Sequence, residues 1–365
     1  MGFSIDMKRV TELSIIAGTI VSCYYLMTMP SPESIGAGLD KDSQKKSDHN
    51  ITRILQKRPD LYNQLRGLNS YEKKVLADVL IAEEINVRFK DVGGLDNIIE
   101  DLKETVIYPL VNGVPETNGN FEEEEDEDDQ LAHLYKSGLL EAPKGVLLYG
   151  PPGSGKSLTA KCLAGESHAT FINVKISTLL SSYYGESNKL IKALFSIATK
   201  LKPTIIFIDE IDALFRKRST QDHEVSSTIK SEFLSLLDGL ESGGGILMMG
   251  ATNRRLDIDE AFLRRMPKQY HIELPNLKAR IKILNILLNK IELDPQSITT
   301  VKLAKFTPGY SGSDLKEMCR DAVANAARDF RQGNRKSKKL RPLTINDFTL
   351  NYANLPGSFE NLSLD

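Results

Sequence analysis

The sequence predicts an α/β chain: a domain built on a parallel β-sheet, a smaller all-helical domain after it, and one membrane-spanning helix ahead of both. Three observations predict it. Between residues 145 and 275, short and nearly continuous apolar runs alternate with helical patterns, as strands covered on both faces of a parallel sheet do. Beyond Pro275 the β signal stops and only helical periodicity continues. Near the N-terminus, "LSIIAGTIVSCYYLMTM" (13–29) runs for 17 residues without a charge.

The bulk composition suits such a chain. With 365 residues, 41% of them hydrophobic and 26% charged, there is apolar material for two or three packed domains. The net charge of −2 conceals the run "EEEEDEDD" (122–129); with those eight acids set aside the remainder carries +6. Neither value demands nucleic acid as a partner. Cys23, Cys162 and Cys319 are far apart, odd in number and without metal-ligand spacing, which points to a reducing compartment.

As a helix, 13–29 would be about 25 Å long against a hydrocarbon core of about 30 Å, workable with flanking apolar residues such as Val10 or a thin bilayer. Lys8 and Arg9 could begin a signal peptide, but no small-x-small cleavage site follows; the run passes into "TMPSPES". Residues 1–30 therefore read as a retained anchor. Lys8 and Arg9 precede it while Lys41, Lys45 and Lys46 follow, which places the C-terminal side in the cytosol. Residues 31–84 read as a linker and short helices: 30–50 is rich in Pro, Gly, Ser and charge, and Ile54, Leu55, Leu61, Leu65, Val75, Leu76, Val79 and Leu80 recur at helical spacing. The large domain is expected over 85–275, interrupted by a solvated acidic loop at 119–130.

Within it the expected strands are "GVLLYG" (145–150), "TFINVKI" (170–176), "TIIFIDE" (204–210), "GILMMGATN" (245–253) and "QYHIELP" (269–275). The helical domain, 276–365, contains "KARIKILNILLNKI", "TTVKLAKF" and "SGSDLKEMCRDAVANAARDF", the last with Ser311 or Ser313 placed to cap it. The basic "RQGNRKSKKLR" (331–341) reads as a solvated linker.

The first of these strands runs into "GPPGSGKS" (150–157), which fits G-x-x-x-x-G-K-[ST] between a strand and a helix. Backbone N–H groups of Gly150, Gly153, Ser154 and Gly155 would surround phosphate oxygens, with Pro151 and Pro152 shaping the turn and Leu158 on the first helical turn. Lys156 would reach the β- and γ-phosphates of ATP, and Ser157 would bind Mg²⁺. About fifty residues on, Asp209 and Glu210 end a strand at the carboxyl edge of the sheet, where ligands collect; Asp209 suits the Mg²⁺ shell and Glu210 suits polarising the attacking water. Asn253, ending the next such strand, can reach the γ-phosphate or that water. Arg264 and Arg265 lie too far along the chain to reach the same pocket easily, and a guanidinium acting on a transferred phosphoryl group can come from a neighbouring subunit.

Together these residues resemble the AAA ATPase family over 85–348. The resemblance implies a large α/β domain with a helical lid, assembled as a homo-hexameric ring. It identifies Asn253 as the sensor residue and Arg264 and Arg265 as the arginine fingers. "FKDVGGLD" (89–96) then holds the adenine around Val92 and Gly93, and "GYSGSDL" (309–315), with Gly312, touches the nucleotide from the lid. "SSYYGESNK" (181–189) matches the first pore loop, with Tyr183 and Tyr184 gripping a polypeptide by aromatic contact, and His223 in "RKRSTQDHEVSS" (216–227) matches the second. Ser182 stands where many relatives carry a basic residue. Among branches of the family, "YEKKVLADVLIAEEINVRFKDVGGLD" (71–96) and "ETVIYPL" (104–110) are most similar to the membrane-anchored mitochondrial sorting AAA ATPases. That likeness implies extraction of mislocalised tail-anchored membrane proteins from the mitochondrial outer membrane and peroxisomes. The acidic loop departs from the pattern of that branch.

Four alternative readings fit the sequence less well. A microtubule-severing AAA ATPase would carry a separate microtubule-binding bundle, for which about fifty linker residues leave no room. A membrane AAA protease needs HExxH, and "HEVSS" lacks the second histidine. A non-catalytic, nucleotide-locked membrane scaffold would show damage at Lys156, Glu210 or the arginine pair, and all are intact. No basic stripe interleaved with aromatics suggests nucleic acid.

Overall fold

The computed structural model describes residues 41–112, 142–179, 186–217, 224–240, 245–332 and 340–348. The expected anchor (1–30), the acidic loop (119–130), Tyr183, Tyr184 and His223 all lie outside the described residues. Among those described, no helix is long and apolar enough to cross a membrane.

Helix α1 (Lys41–Lys57) begins inside the stretch whose composition reads as a linker. What holds it is packing: Ile54 is buried, and the Asn50 amide donates to the carbonyls of Leu76 and Val79 at 2.9 and 3.3 Å. Helix α2 (Ser70–Leu76) starts on a capping box in which the Asn69 side chain accepts from Glu72 N and the Glu72 carboxylate accepts from Asn69 N. Val79 and Leu80, expected to be helical, instead form β1 (Val79–Leu80), pairing antiparallel with Ile172 and Phe171. Two residues are too few to show a period of two, so only the pairing reveals this strand.

Helix α3 (Asp96–Leu102) runs into a π-helical turn, Lys103–Ile107. Then come β2 (Gly145–Tyr149), α4 (Lys156–Glu166), β3 (Thr170–Val174), α5 (Glu186–Lys200), β4 (Thr204–Ile208), α6 (Glu224–Asp238), β5 (Ile246–Thr252) and β6 (Lys268–His271). The sheet order is β1-β3-β4-β5-β2-β6, parallel throughout except at β1. All five strands expected from the sequence are present. Side chains alternate across it as strand geometry requires: Ile206 and Met248 join the core under α1, α2, α5 and α6, while Phe207 and Met249 join the one under α3 and α4. Glu72, 5% exposed, links α2 to α5 by accepting from Lys200 Nζ (2.6 Å) and Ser196 Oγ (2.7 Å). Burial pushes its carboxyl up, but these bonds and that from Asn69 outweigh it and leave the group below its ordinary value.

The helical domain comprises α7 (Leu277–Leu288), α8 (Thr300–Phe306) and α9 (Gly312–Gln332), packed around Leu284, Leu303, Leu315, Met318 and Ala322. Asn276 and Thr299 cap the first two helices, and Ser311 begins the third in a reciprocal pair with Asp314. Arg341, at the end of the basic stretch read as solvated, is instead held on Asp347 through two bonds of 2.6 and 2.7 Å. Cys162 and Cys319 are buried free thiols, and burial pushes both up to about 12, which leaves them inert.

Candidate active site

The parallel strands all end at one edge, and β2, β4 and β5 bring three of the sequence motifs together there. The loop after β2 turns sharply into α4. At Gly153 the backbone is left-handed (φ 72°), and a Cβ would meet Ser311 Oγ at 2.5 Å, so any side chain would push the helical domain off the loop. Lys156 is 6% exposed and its Nζ donates to the carbonyls of Gly150 (3.0 Å) and Pro151 (2.7 Å). Burial lowers its pKa, opposed by the charge of Asp209. Ser157 Oγ donates to Asp209 Oδ2 at 2.5 Å, and Glu210 N donates to Asp209 Oδ1 at 3.0 Å. Glu210 is exposed and sits at φ 52°, uncommon for a residue with a side chain. Asn253 is exposed beyond β5, next to the loop, because Gly150 N bonds the Thr252 carbonyl. Leu158 is 37% exposed on the first turn of α4.

A cavity of about 420 Å³ opens beside the loop, lined among others by Gly93, Ser154, His271, Asn276, Ala279 and Gly312. Val92 packs on the core beneath it. A Cβ at Gly93 would come within 2.7 Å of Ile283, so glycine lets this irregular segment lie flat on α7. The helical domain closes the cavity, with Ser313 N donating to Gly153 O (3.2 Å) and Lys282 paired with Asp96 (2.6 Å). Sequence reasoning missed three residues here. His271 stacks on Tyr149 (4.9 Å, 13°), and Thr252 bonds Asp212. Asp212 could have been noticed as a third acid two residues beyond Glu210.

Arg264 and Arg265 are not brought to this edge. Gly145, at the start of β2, packs against the Arg265 carbonyl, which places the pair at the amino edge. At about 3.3 Å per residue, β2 separates them from Gly150 by about 17 Å. Arg265 donates to both oxygens of Asp238 at 2.8 and 2.6 Å and to Ala261 O at 2.7 Å, while Arg264 is exposed.

The family described as "ATPase family associated with various cellular activities (AAA)" matches residues 146–274, and "AAA+ lid domain" matches 298–340. The outer mitochondrial transmembrane helix translocase of Danio rerio is 43% identical over 284 residues, 77% of this chain and 73% of that protein. The chain belongs to the AAA ATPase family. This ATPase is also 45% identical to the Homo sapiens protein of that translocase name, over 72% of this chain and 68% of its relative. The "Mitochondrial sorting homolog" of Caenorhabditis elegans is 38% identical over 77% of each. Among solved structures, the FIGL-1 AAA domain in complex with ADP shares 32% identity at a TM-score of 0.59, over 77% of this chain and 88% of that one. Membership makes the chain an ATP-hydrolysing enzyme and explains its two bodies, an AAA α/β domain with a mostly parallel sheet and a helical lid. The family binds nucleotide, in general with Mg²⁺ and as hexamers. Ser157 and Asp209 fit that metal, since they converge two hard oxygen donors beside the phosphate loop.

Proposed function

We propose that this AAA ATPase is anchored by residues 1–30 in the mitochondrial outer membrane, and in the peroxisomal membrane as well, with its ATPase domain in the cytosol. There it extracts mislocalised tail-anchored membrane proteins by threading them through the pore of a homo-hexamer. The likeness to proteins named outer mitochondrial transmembrane helix translocase, at 43–45% identity over 72–77% of this chain, carries this reading.

In this scheme the linker and docked helices (31–84) join the anchor to the α/β domain (85–275), and the lid (276–365) closes over the nucleotide. The loop 150–155 wraps the phosphates, and Lys156, already nearly desolvated, meets them without a further large burial cost. Val92, Gly93, Leu158 and Gly312 border the base and sugar. Ser157 and Asp209 would hold Mg²⁺, which would offset phosphate charge. Glu210 takes the proton of the attacking water as its oxygen bonds the γ-phosphorus and the bond from that phosphorus to the β–γ bridging oxygen breaks, releasing ADP and phosphate, and Asn253 orients that water or the γ-phosphate by its amide. The arginines, about 17 Å from their own loop by the length of β2, act on the neighbouring subunit's nucleotide. Tyr183, Tyr184 and His223 line the pore and grip the passing chain. No nucleic acid takes part.

The test is co-reconstitution of the full chain with a tail-anchored protein in liposomes. ATP should move the substrate to the soluble fraction, and the Glu210→Gln protein should leave it embedded; hydrolysis with no release would refute extraction.

A further inference from the structure

The ladder between β4 and β5 has its last rung at Ile208 and Gly250, yet the two strands stay stitched past it. Ile211 N donates to Ala251 O at 2.9 Å, and Thr252 Oγ1 donates to Asp212 Oδ1 at 2.6 Å. The same hydroxyl accepts from Arg254 N at 2.9 Å, closing the turn that carries Asn253. Thr252 is 1% exposed, so this hydroxyl works between protein groups.

The consequence falls on Glu210. The turn 209–212 is tied at one end to the phosphate loop, where Ser157 bonds Asp209, and at the other to β5, where Thr252 bonds Asp212. Glu210 lies between the two ties in a left-handed conformation, which a non-glycine residue keeps only where its surroundings over-determine it. Asn253 hangs from the same hydroxyl through Arg254 N. We propose that Thr252 is a positioning residue for hydrolysis: one buried hydroxyl sets the place of the water-activating Glu210 relative to the sensing Asn253. This rests on the roles given to those two residues above.

A hydroxyl that aligns two groups governs the rate of the chemical step more than the affinity for nucleotide. Thr252→Val keeps the β-branched shape a strand accepts and removes both bonds, whereas Thr252→Ser keeps them. Steady-state ATP hydrolysis by the full chain in detergent, with binding of a fluorescent ADP and thermal melting, provides the readouts. Thr252→Val should lower kcat about 10- to 100-fold, with KM and ADP affinity within about threefold, and Thr252→Ser should restore it. Asp212→Ala should give the same loss, and the double variant should be no slower than either single one. Asp212 is only half-buried, so it carries the test if the valine is not tolerated.

Wild-type kcat in Thr252→Val, losses that multiply in the double variant, or a fall in ADP affinity equal to the fall in kcat would each overturn the proposal. Glu210→Gln, assayed alongside, separates the two levels. A dead Glu210→Gln beside a fully active Thr252→Val sinks the positioning role alone. An active Glu210→Gln sinks the assignment beneath it as well.

Discussion

Removing the Arg264 guanidinium by Arg264→Ala should abolish hydrolysis in a way that another subunit can repair. The pair Arg264 and Arg265 sits at the amino edge of the sheet, and β2 puts about 17 Å between it and the loop of the same chain. A guanidinium that meets the transferring phosphoryl group is worth about 10³- to 10⁵-fold in rate, or about 4–7 kcal/mol of barrier. Arg264→Ala alone should lose turnover on that scale while still binding ATP. Lys156→Ala alone should be inactive because its own loop is damaged. In a ring assembled from equal amounts of the two, about a quarter of the boundaries pair an intact loop with an intact arginine. The assay is ATP turnover after mixing and reassembly, with co-purification of two different tags to show that mixed rings form. Recovery toward roughly a quarter of wild-type turnover is expected. Mixed rings as inactive as both parents would refute the placement of the arginine in the neighbour's site.

Four further outcomes are expected. Glu210→Gln should bind ATP within a few-fold of wild type but turn it over about 10²- to 10⁴-fold more slowly, measured by single-turnover hydrolysis. Asp238→Ala frees Arg265 from a solvent-exposed pair, so stability by urea titration should change by less than about 1 kcal/mol while kcat falls as Arg264's segment loosens. Glu72→Gln removes the charge partner of Lys200 and should cost about 2 kcal/mol in the same titration, since Lys200 is partly solvated and softens the loss. Arg341 holds the Asp347 carboxyl down at about 2, so its contribution to the lid is full above about pH 4 and fades as pH falls toward 2; thermal melts at pH 5 and 3 should converge in Asp347→Asn.

Those features that a local pattern encodes were legible beforehand. The strand, glycine turn and helix around 145–166, the acids ending β4 and the asparagine ending β5 are each spelled within a few residues, and each lies where expected. What escaped depends on distant partners. β1 exists only through its pairing with β3, and α1 holds through Asn50 and Ile54 despite a linker-like composition. The different surroundings of neighbours Arg264 and Arg265, the first exposed and the second paired, depend on Asp238, which reaches Arg265 from the end of α6. Thr252 and Asp212 are forty positions apart, joined by strand order, which the sequence does not print.

Turnover per chain as a function of protein concentration, recorded together with the oligomer distribution by light scattering, bears most directly on a site completed across a subunit boundary. Activity should rise in step with the hexameric fraction and vanish in the monomer. A monomer that hydrolyses ATP at the full rate would contradict it.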